Sequence, residues 1–349
     1  MKAAYLISAL TIAFLLTLSA GGARGDISQD PMSGNWLVRT DSVSYNYLPL
    51  ADSMMTLSQV GVSPSGTTKQ VIFASVLATS FNPSQNPVHP VEEGRTVFVR
   101  GLNATLETHD NPHAILLYRV AQQGTITFTL DSRIGAISFG NNALIGDSQI
   151  QADLTVTNGR AITKSVDSLL LQLQPSDLVT FRVQGPAGSI SRLLSSGAIG
   201  AEVDLRASGG VLDADMIPYT AGASLTADSV ATSRAQFSFD GLASSRVVII
   251  DLSQDLYTPL RDHLSVSVDG STLTKLSSVE ELETASEPGY VVAEGQGYAE
   301  MLVRTGTPSG SLVIESIVPG FDWFLAVAAL ASVAVSVAAG AFLFRRRSQ

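Results

Sequence analysis

The amino-acid sequence predicts a mainly β protein, with one or two β-sandwich-like domains and a C-terminal transmembrane helix. Short runs rich in Val, Ile, Thr and Phe alternate with polar residues over residues 26–317, separated by Gly, Asn, Asp and Pro, as in strands joined by turns. Helical patterns in that stretch are few. The chain is also 45% hydrophobic and only 15% charged, a balance too apolar for a purely soluble domain.

The first 25 residues are predicted to be a secretory signal peptide. Lys2 provides a positive start, an uncharged and mostly apolar stretch follows to residue 18, and small residues at 19–25 offer cleavage sites. The exported chain would then begin at Asp26. The alternative is an uncleaved N-terminal anchor, although a stretch of about sixteen residues is short for a full membrane span.

Seven strands have clear alternation. They are residues 70–78, 96–102, 115–120, 125–130, 150–156, 169–173 and 178–183. The dipeptides Asn158-Gly159 and Asp269-Gly270 are favoured in two-residue hairpin turns, so a hairpin is predicted at each. The best helical pattern covers residues 189–199.

The exported region is predicted to divide into two β-rich domains, residues 26–186 and 187–317. About 290 residues is long for a single β-sandwich, and the linker-like residues 185–188 provide a boundary. Because the chain has no cysteine, each domain depends on its hydrophobic core and not on disulfides.

Three of the four histidines, His89, His109 and His113, fall close together in the sequence, with Glu107 and Asp110 beside them. Imidazole and carboxylate groups bind zinc, copper or nickel, so these histidines predict a divalent metal site. The proline before His113 makes that site loop-built. The alternative is a polar, solvated loop between two strands.

Calcium is the other inorganic candidate, because acidic pairs such as Asp213 with Asp215 and Asp251 with Asp255 occur, although without the pattern of an EF-hand. No cofactor is expected apart from such a divalent metal. Asn103 begins the predicted glycosylation sequon, Asn103-Ala104-Thr105. The other match in the sequence, at Asn82, is blocked by the proline that follows it.

Catalytic motifs are absent from the sequence. It contains no nucleophile elbow, no zinc-protease helix, no phosphate loop and no dinucleotide fingerprint, so we predict that the protein is not an enzyme. The net charge of -10 argues against a nucleic-acid partner, because little basic surface is available to bind phosphates.

Residues 323–344 form the predicted transmembrane helix, within an anchor segment of residues 318–344. They carry no charge, and at ~1.5 Å per residue they are long enough to cross a bilayer core of about 30 Å. Three arginines follow, and the positive-inside rule keeps residues 345–349 as a cytoplasmic tail. The sequence therefore predicts a single-pass protein of the cell membrane, with residues 26–317 outside the cell.

The residues Pro319, Gly320 and Phe321, placed directly before the apolar span, resemble the PGF-CTERM sorting signal of archaeal cell-surface proteins. The resemblance implies processing by an archaeosortase-like enzyme, loss of the helix and attachment of the new C-terminus to a membrane lipid. A strand-like stretch stands where such proteins have a Thr-, Glu- or Pro-rich spacer. Retention as a transmembrane anchor is therefore the alternative.

Residues 246–317 are similar to a strand-rich module that recurs next to the membrane in archaeal surface proteins. The similarity rests on the apolar run 247–250, the alternation over 264–268 and the segment 289–292. It implies a location in the cell envelope but no activity.

Together these features predict a membrane-anchored cell-surface protein with a non-catalytic structural, adhesive or envelope-associated ectodomain. The expected partners are membrane lipid, the processing enzyme, and other cell-surface proteins or glycans. The alternative is an anchored extracellular metal- or ligand-binding protein or hydrolase.

Overall fold

The computed structural model describes residues 26–49, 54–63, 68–79, 81, 89–157, 160–208, 211–231, 234–242 and 246–316. In this part of the chain the protein is mainly β, with strands arranged in four sheets, which confirms the predicted class and is consistent with a β-sandwich-like fold. None of the helices in the described ranges has the length and apolar character needed to cross a membrane. The predicted signal peptide, anchor segment and tail lie outside the described residues.

The first sixteen described strands form two eight-stranded sheets. They are β1 (Asp26–Gln29), β2 (Trp36–Arg39), β3 (Val43–Pro49), β4 (Met55–Val62), β5 (Gln70–Ala78), β6 (Val91–Glu93), β7 (Thr96–Arg100), β8 (Ala104–His109), β9 (Ile115–Val120), β10 (Gly124–Leu130), β11 (Gly135–Phe139), β12 (Asn142–Gly146), β13 (Gln151–Val156), β14 (Ile162–Lys164), β15 (Ser168–Leu173) and β16 (Leu178–Val183). Sheet 1 has the order β1-β2-β3-β4-β5-β10-β15-β14, and sheet 2 the order β11-β12-β13-β16-β9-β8-β7-β6.

The remaining strands form sheets 3 and 4. They are β17 (Ile199–Ser208), β18 (Val211–Pro218), β19 (Ser224–Ala231), β20 (Arg234–Asp240), β21 (Val247–Ser253), β22 (Leu264–Val268), β23 (Ser271–Thr272), β24 (Thr274–Lys275), β25 (Gly289–Glu294), β26 (Tyr298–Arg304) and β27 (Gly310–Ser316). Sheet 3 has the order β18-β17-β21-β26-β25-β24, and sheet 4 the order β19-β20-β27-β22-β23. The described helices are α1 (Ser191–Ser195), α2 (Gln254–Tyr257), α3 (Val279–Thr284) and a 3₁₀ turn (Arg261–His263).

Successive side chains of a strand point to opposite faces, so each sheet can pack on both sides. In β16, Val179 and Phe181 lie in the core between sheets 1 and 2, whereas Leu178 lies on the other face, toward sheet 3. In β21, Ile250 lies in the core between sheets 3 and 4, and Ile249 faces sheet 2. Three apolar layers follow, and the four sheets stack in the order 1, 2, 3, 4.

The predicted strands at β5, β9 and β16 have the predicted bounds, and the other four differ by one or two residues at an end. The Asp269-Gly270 hairpin is also confirmed. Both residues have positive φ, 49° and 80°, and they join β22 to β23 in antiparallel pairing. The predicted helix is shorter than expected, because the chain turns at Gly197, with φ 69°, and enters β17 at Ile199.

The hairpin predicted at Asn158-Gly159 is wrong. This dipeptide lies outside the described residues, but the strands on either side of it belong to different sheets: β13 pairs with β12 and β16, and β14 pairs with β15. A turn dipeptide reports local backbone preference and does not select the strand that becomes the neighbour. Because β13 already has a partner on each side, β14 crosses to sheet 1.

Candidate functional site

The layer between sheets 2 and 3 changes from apolar to charged along the strands. In β16, Leu178 lies in the apolar part, and Arg182, on the same face four residues later, lies in the charged part. Asp251 likewise follows Ile249 by two residues in β21. Alternate residues of a strand lie on the same face. The face that places apolar side chains in this layer therefore also places charged side chains there.

One charged group, called here the His113 cluster, consists of His113, Arg182, Glu202, Asp251 and Glu300. All five side chains are 0% exposed. His113 comes from the connection between β8 and β9 and Arg182 from β16, while the three acids come from β17, β21 and β26 of sheet 3. The cluster therefore joins the two sheets.

Arg182 binds two of the three acids. Its Nε donates to Glu202 Oε2 at 3.1 Å, and its Nη2 donates to Glu300 Oε1 at 2.7 Å. The Tyr219 hydroxyl also donates to Glu202 Oε2, at 2.8 Å, and the backbone N–H of Ala187 donates to Glu300 Oε2 at 3.0 Å. Both oxygens of Glu300 are thus satisfied.

The His113 ring has a defined tautomer. Its Nδ1 lies 3.2 Å from the Val183 carbonyl oxygen, which only accepts hydrogen bonds, so Nδ1 carries the proton of the neutral ring. Its Nε2 then presents a lone pair 3.1 Å from Asp251 Oδ1. The other oxygen, Asp251 Oδ2, is buried and has no hydrogen-bond partner among the described residues. A proton or a cation is therefore needed between these groups.

The cluster holds three carboxyl groups and one guanidinium, so acid is in excess. Burial raises the pKa of Asp251 well above its usual value and raises the pKa of Glu202 to about 7, while it lowers the pKa of His113. Burial acts in the same way on Glu300, but the adjacent Arg182 guanidinium outweighs it and lowers the pKa of that carboxyl. His113 is therefore neutral at pH 7, and burial favours the protonated form of Asp251.

A second charged group in the same layer has a different balance of acidic and basic side chains. It is called here the His109 cluster and consists of Glu107, Asp204, Asp213 and Asp215 with Arg95, Arg119, Arg206 and His109. His109 Nδ1 lies 3.1 Å from both Asp215 Oδ2 and Thr96 Oγ1, and its Nε2 lies 3.5 Å from Glu107 Oε2. Burial opposes protonation, but these two carboxylates outweigh it and raise the pKa of His109 to about 9. His109 is therefore an imidazolium at neutral pH.

Arginines also pair with the acids of the His109 cluster. Arg119 Nε donates to Glu107 Oε1 at 2.5 Å, and Arg206 Nε donates to Asp204 Oδ2 at 3.0 Å. Arg95 forms an ion pair with Asp204 as well. The ionic groups of the cluster are four acids and four cations: Glu107, Asp204, Asp213 and Asp215 with Arg95, Arg119, Arg206 and His109.

The structure separates the three histidines that the sequence groups together. His109 and His113 both face sheet 3, but in different clusters. His89 is exposed and packs edge-on against Trp36, with ring centroids 5.0 Å apart. The solvated-loop alternative is wrong, because residues 107–111 and His113 are buried. Packing of sheet 3 onto sheet 2, which no local pattern reports, buries them.

Sequence reasoning missed Glu202, Glu300 and Arg182 and paired Asp251 with the wrong neighbour. Asp255, its predicted partner, is exposed at the start of α2, whereas Asp251 points to His113. The available signal was a charged residue within an otherwise apolar strand, as in the run Val-Val-Ile-Ile-Asp-Leu of β21. Such a residue is buried only if it has a partner.

The segment predicted as a linker packs against the His113 cluster. A Cβ atom added at Gly185 would lie 2.4 Å from both Glu300 Oε2 and His113 Cε1, so the backbone approaches both side chains closely. The predicted boundary between Pro186 and Ala187 lies in this connection from β16 to α1.

Asn103 lies half-buried in the tight connection between β7 and β8, where its backbone carbonyl accepts from the N–H of Ala121 at 2.7 Å. Its glycosylation stays a prediction. The anchor-processing residues Pro319, Gly320 and Phe321 lie outside the described residues.

A cleft of about 500 Å³ opens beside the two clusters, and its lining includes Asn111, Asp204, Arg206 and Tyr298. Asn111 Nδ2 and Asp204 Oδ1 are buried and have no hydrogen-bond partner within the described ranges. The Tyr298 ring packs edge-on against His113, with centroids 5.3 Å apart. Tyr298 therefore contacts the His113 ring and also lines the cleft.

No model of a known protein family matches this chain, and none of the curated proteins does. A solved structure of a glycoside hydrolase of family 81 from Clostridium thermocellum is similar, with a TM-score of 0.35 and 8% sequence identity. The match covers 87% of this chain and 40% of the hydrolase chain, so this chain spans less than half the length of that protein. A similarity of this size carries no argument about function.

Proposed function

We propose that this protein is a membrane-anchored cell-surface protein whose ectodomain has a structural, adhesive or packing role in the cell envelope and is not catalytic. The observation that supports this role best is the buried layer between sheets 2 and 3. It joins the two halves of the chain through both apolar packing and paired charges. Such a layer suits a firm spacer or packing unit better than two mobile modules.

The charges make the alignment of the two halves specific. Removing one partner of a buried ion pair costs about 3–5 kcal/mol, because the remaining charge is left uncompensated. Sliding sheet 3 over sheet 2 by one residue pair would separate Arg182 from Glu202 and Glu300 and incur that cost. The halves therefore have one favoured register.

The cell-surface location rests on the sequence features at the two ends. A signal peptide at residues 1–25 would export the chain, and the anchor segment 318–344 would hold it at the membrane. In this proposal, membrane lipid and an archaeosortase-like enzyme act at Pro319, Gly320 and Phe321. Other surface proteins or glycans are the ectodomain's neighbours.

The location is tested by intact mass and peptide mapping of the protein extracted from its native membrane. We expect an N-terminus near Asp26 and a C-terminus near Pro319 with a lipid-sized addition. A chain that ends at Gln349 would mean a retained helix, and added mass at Asn103 would mean glycosylation. An intact residue 1–25 segment, together with protection from protease added outside whole cells, would contradict export.

The envelope role is tested by crosslinking on intact cells with a membrane-impermeant reagent. We expect the ectodomain to form crosslinks with other surface proteins or with further copies of itself. Only uncrosslinked monomer, under conditions that crosslink known neighbours in the same envelope, would contradict a packing role.

Ligand binding is a second candidate function, and the polar cleft favours it. The unpartnered groups of Asn111 and Asp204 are the kind of buried polar atoms that a small polar ligand satisfies. Asn111→Ala should then weaken binding of whichever mono- or oligosaccharide raises the melting temperature in a screen. If no saccharide in the screen raises the melting temperature, ligand binding is rejected and the envelope role is the remaining candidate.

A further inference from the structure

We propose that His113, Glu202 and Asp251 bind one divalent transition-metal cation of the Zn²⁺ type between sheets 2 and 3. One ligand atom from each of the three residues lies within 4.8 Å of the other two, and all three residues are buried. This ligand set differs from the one predicted from sequence, since it keeps His113 and replaces His89 and His109 with acids from sheet 3.

His113 is oriented as a metal ligand. In protein metal sites, the second ring nitrogen of a ligating histidine commonly donates to a carbonyl or carboxylate, which determines the tautomer. Here Nδ1 donates to the Val183 carbonyl, so the Nε2 lone pair points into the cluster. No protonation change is needed for Nε2 to bind a cation.

The two carboxylates have unused oxygen atoms. Asp251 Oδ2 is buried, and no donor reaches it in the described part of the chain. Glu202 Oε1 has a long contact of 3.4 Å to Arg182 Nη2, and the Glu202 and Asp251 carboxyl groups lie next to each other. Glu300 differs, because both of its oxygens accept hydrogen bonds of 3.0 Å or less. The free acceptors are therefore on the two acids grouped with His113.

The charge of the cluster matches a divalent cation. With His113 neutral, three carboxylates and one guanidinium sum to -2 when all are ionised. One imidazole and two carboxylates suit Zn²⁺, whereas Ca²⁺ takes six to eight oxygen ligands. A divalent cation bound between these groups would balance this charge.

The ion has a route in and a structural consequence. Tyr298 contacts the His113 ring and also lines the cleft, so the cleft is the side from which an ion would enter. Because His113 belongs to sheet 2's side and the acids belong to sheet 3, the ion would join the two halves of the chain. Binding only to the folded state then stabilises it by mass action.

The test uses the full-length protein in detergent, stripped with EDTA, desalted and titrated with ZnCl₂. We expect one Zn²⁺ per chain after desalting, measured by elemental mass spectrometry, and a rise in melting temperature of at least about 3 °C. His113→Gln and Asp251→Asn should both lose the bound Zn²⁺. His109→Gln, a buried histidine of the same layer, and His89→Gln, an exposed one, should keep it.

Three results would overturn the proposal: folded wild-type protein that retains no Zn²⁺, equal retention in Asp251→Asn, or loss in His89→Gln. If circular dichroism shows that a variant does not fold, X-ray absorption spectroscopy of Zn²⁺-loaded wild-type protein tests the ligand set instead. One imidazole among oxygen ligands is expected, and a shell with no imidazole or with two would refute the site. None of these results bears on whether the protein is exported.

Discussion

The two histidine clusters between sheets 2 and 3 differ in charge balance although their histidines are four residues apart. The His109 cluster pairs four acids with four cations, and its imidazole is charged. The His113 cluster opposes three acids with one guanidinium, and its imidazole is neutral. Equal burial therefore gives opposite protonation states. The strands facing each histidine, and not its own sequence neighbours, decide which state it adopts.

The difference has a chemical meaning. A balanced cluster has no need of a further ion, so its role is to hold the sheets together. An acid-rich cluster with a neutral imidazole needs protons or a cation to be buried. The His109 cluster therefore stabilises the contact between the sheets, whereas the His113 cluster has the properties of a binding site.

Arg182→Met should have the largest effect on stability, because Arg182 is the single cation among three buried carboxyl groups. We expect a loss of about 3–5 kcal/mol in the free energy of unfolding, measured with denaturant. Arg119→Met is the control and should cost less, about 1–2 kcal/mol, because Arg119 is partly exposed and Glu107 keeps His109 as a partner. Similar losses for the two variants would contradict the contrast between the clusters.

Stability should fall as the pH rises through about 9, because His109 then loses its proton. The pKa of His109 is raised from 6.5, so its contribution is complete below pH 6.5 and is lost across pH 7–10. The loss is on the order of 3 kcal/mol. Unfolding measured at several pH values should show it in wild-type protein, and His109→Gln should have a flatter profile. Equal slopes would mean that His109 is neutral in the folded state.

Matched Asp→Asn substitutions should separate the clusters directly. Asp215 is ionised beside the His109 imidazolium, and its pKa is lowered, because this partner outweighs burial. Asp215→Asn should therefore cost about 2 kcal/mol. Burial favours the protonated form of Asp251 in metal-free protein, and Asn is a neutral isostere of that form, so Asp251→Asn should cost less than about 1 kcal/mol. Chemical unfolding in EDTA checks both, and the reverse order would refute the assigned protonation states.

Gly185→Ala should disturb only the His113 cluster. The added Cβ would lie 2.4 Å from Glu300 Oε2 and from His113 Cε1, both buried, so we expect a loss of about 1–2 kcal/mol. Gly135→Ala in β11 is the control, because its Cβ would meet a carbonyl oxygen at an ordinary 3.6 Å. Thermal melts of the two variants give the comparison, and an unchanged melting temperature for Gly185→Ala would show that the backbone yields there.

Several strands and one hairpin can be predicted from local sequence patterns. The alternation of apolar and polar residues predicts β5, β9 and β16 with the bounds that the structure has, and Asp269-Gly270 predicts its hairpin, because side-chain period and turn preference act over a few residues. The same reasoning brings attention to His113 and Asp251, since polar residues beside apolar strands are conspicuous.

The sequence by itself therefore determined the β class, the seven strands with clear alternation, one hairpin, and the excess of acid over base. Only the tertiary structure decided that β14 leaves its neighbour β13 and that His113 meets Asp251, 138 residues away. Strand pairing and sheet stacking depend on which faces bury most apolar area across the whole chain, and no short segment carries that information. The ligands proposed for the metal ion, His113 beside sheet 2 and Glu202 and Asp251 in sheet 3, are therefore brought together only when the sheets stack.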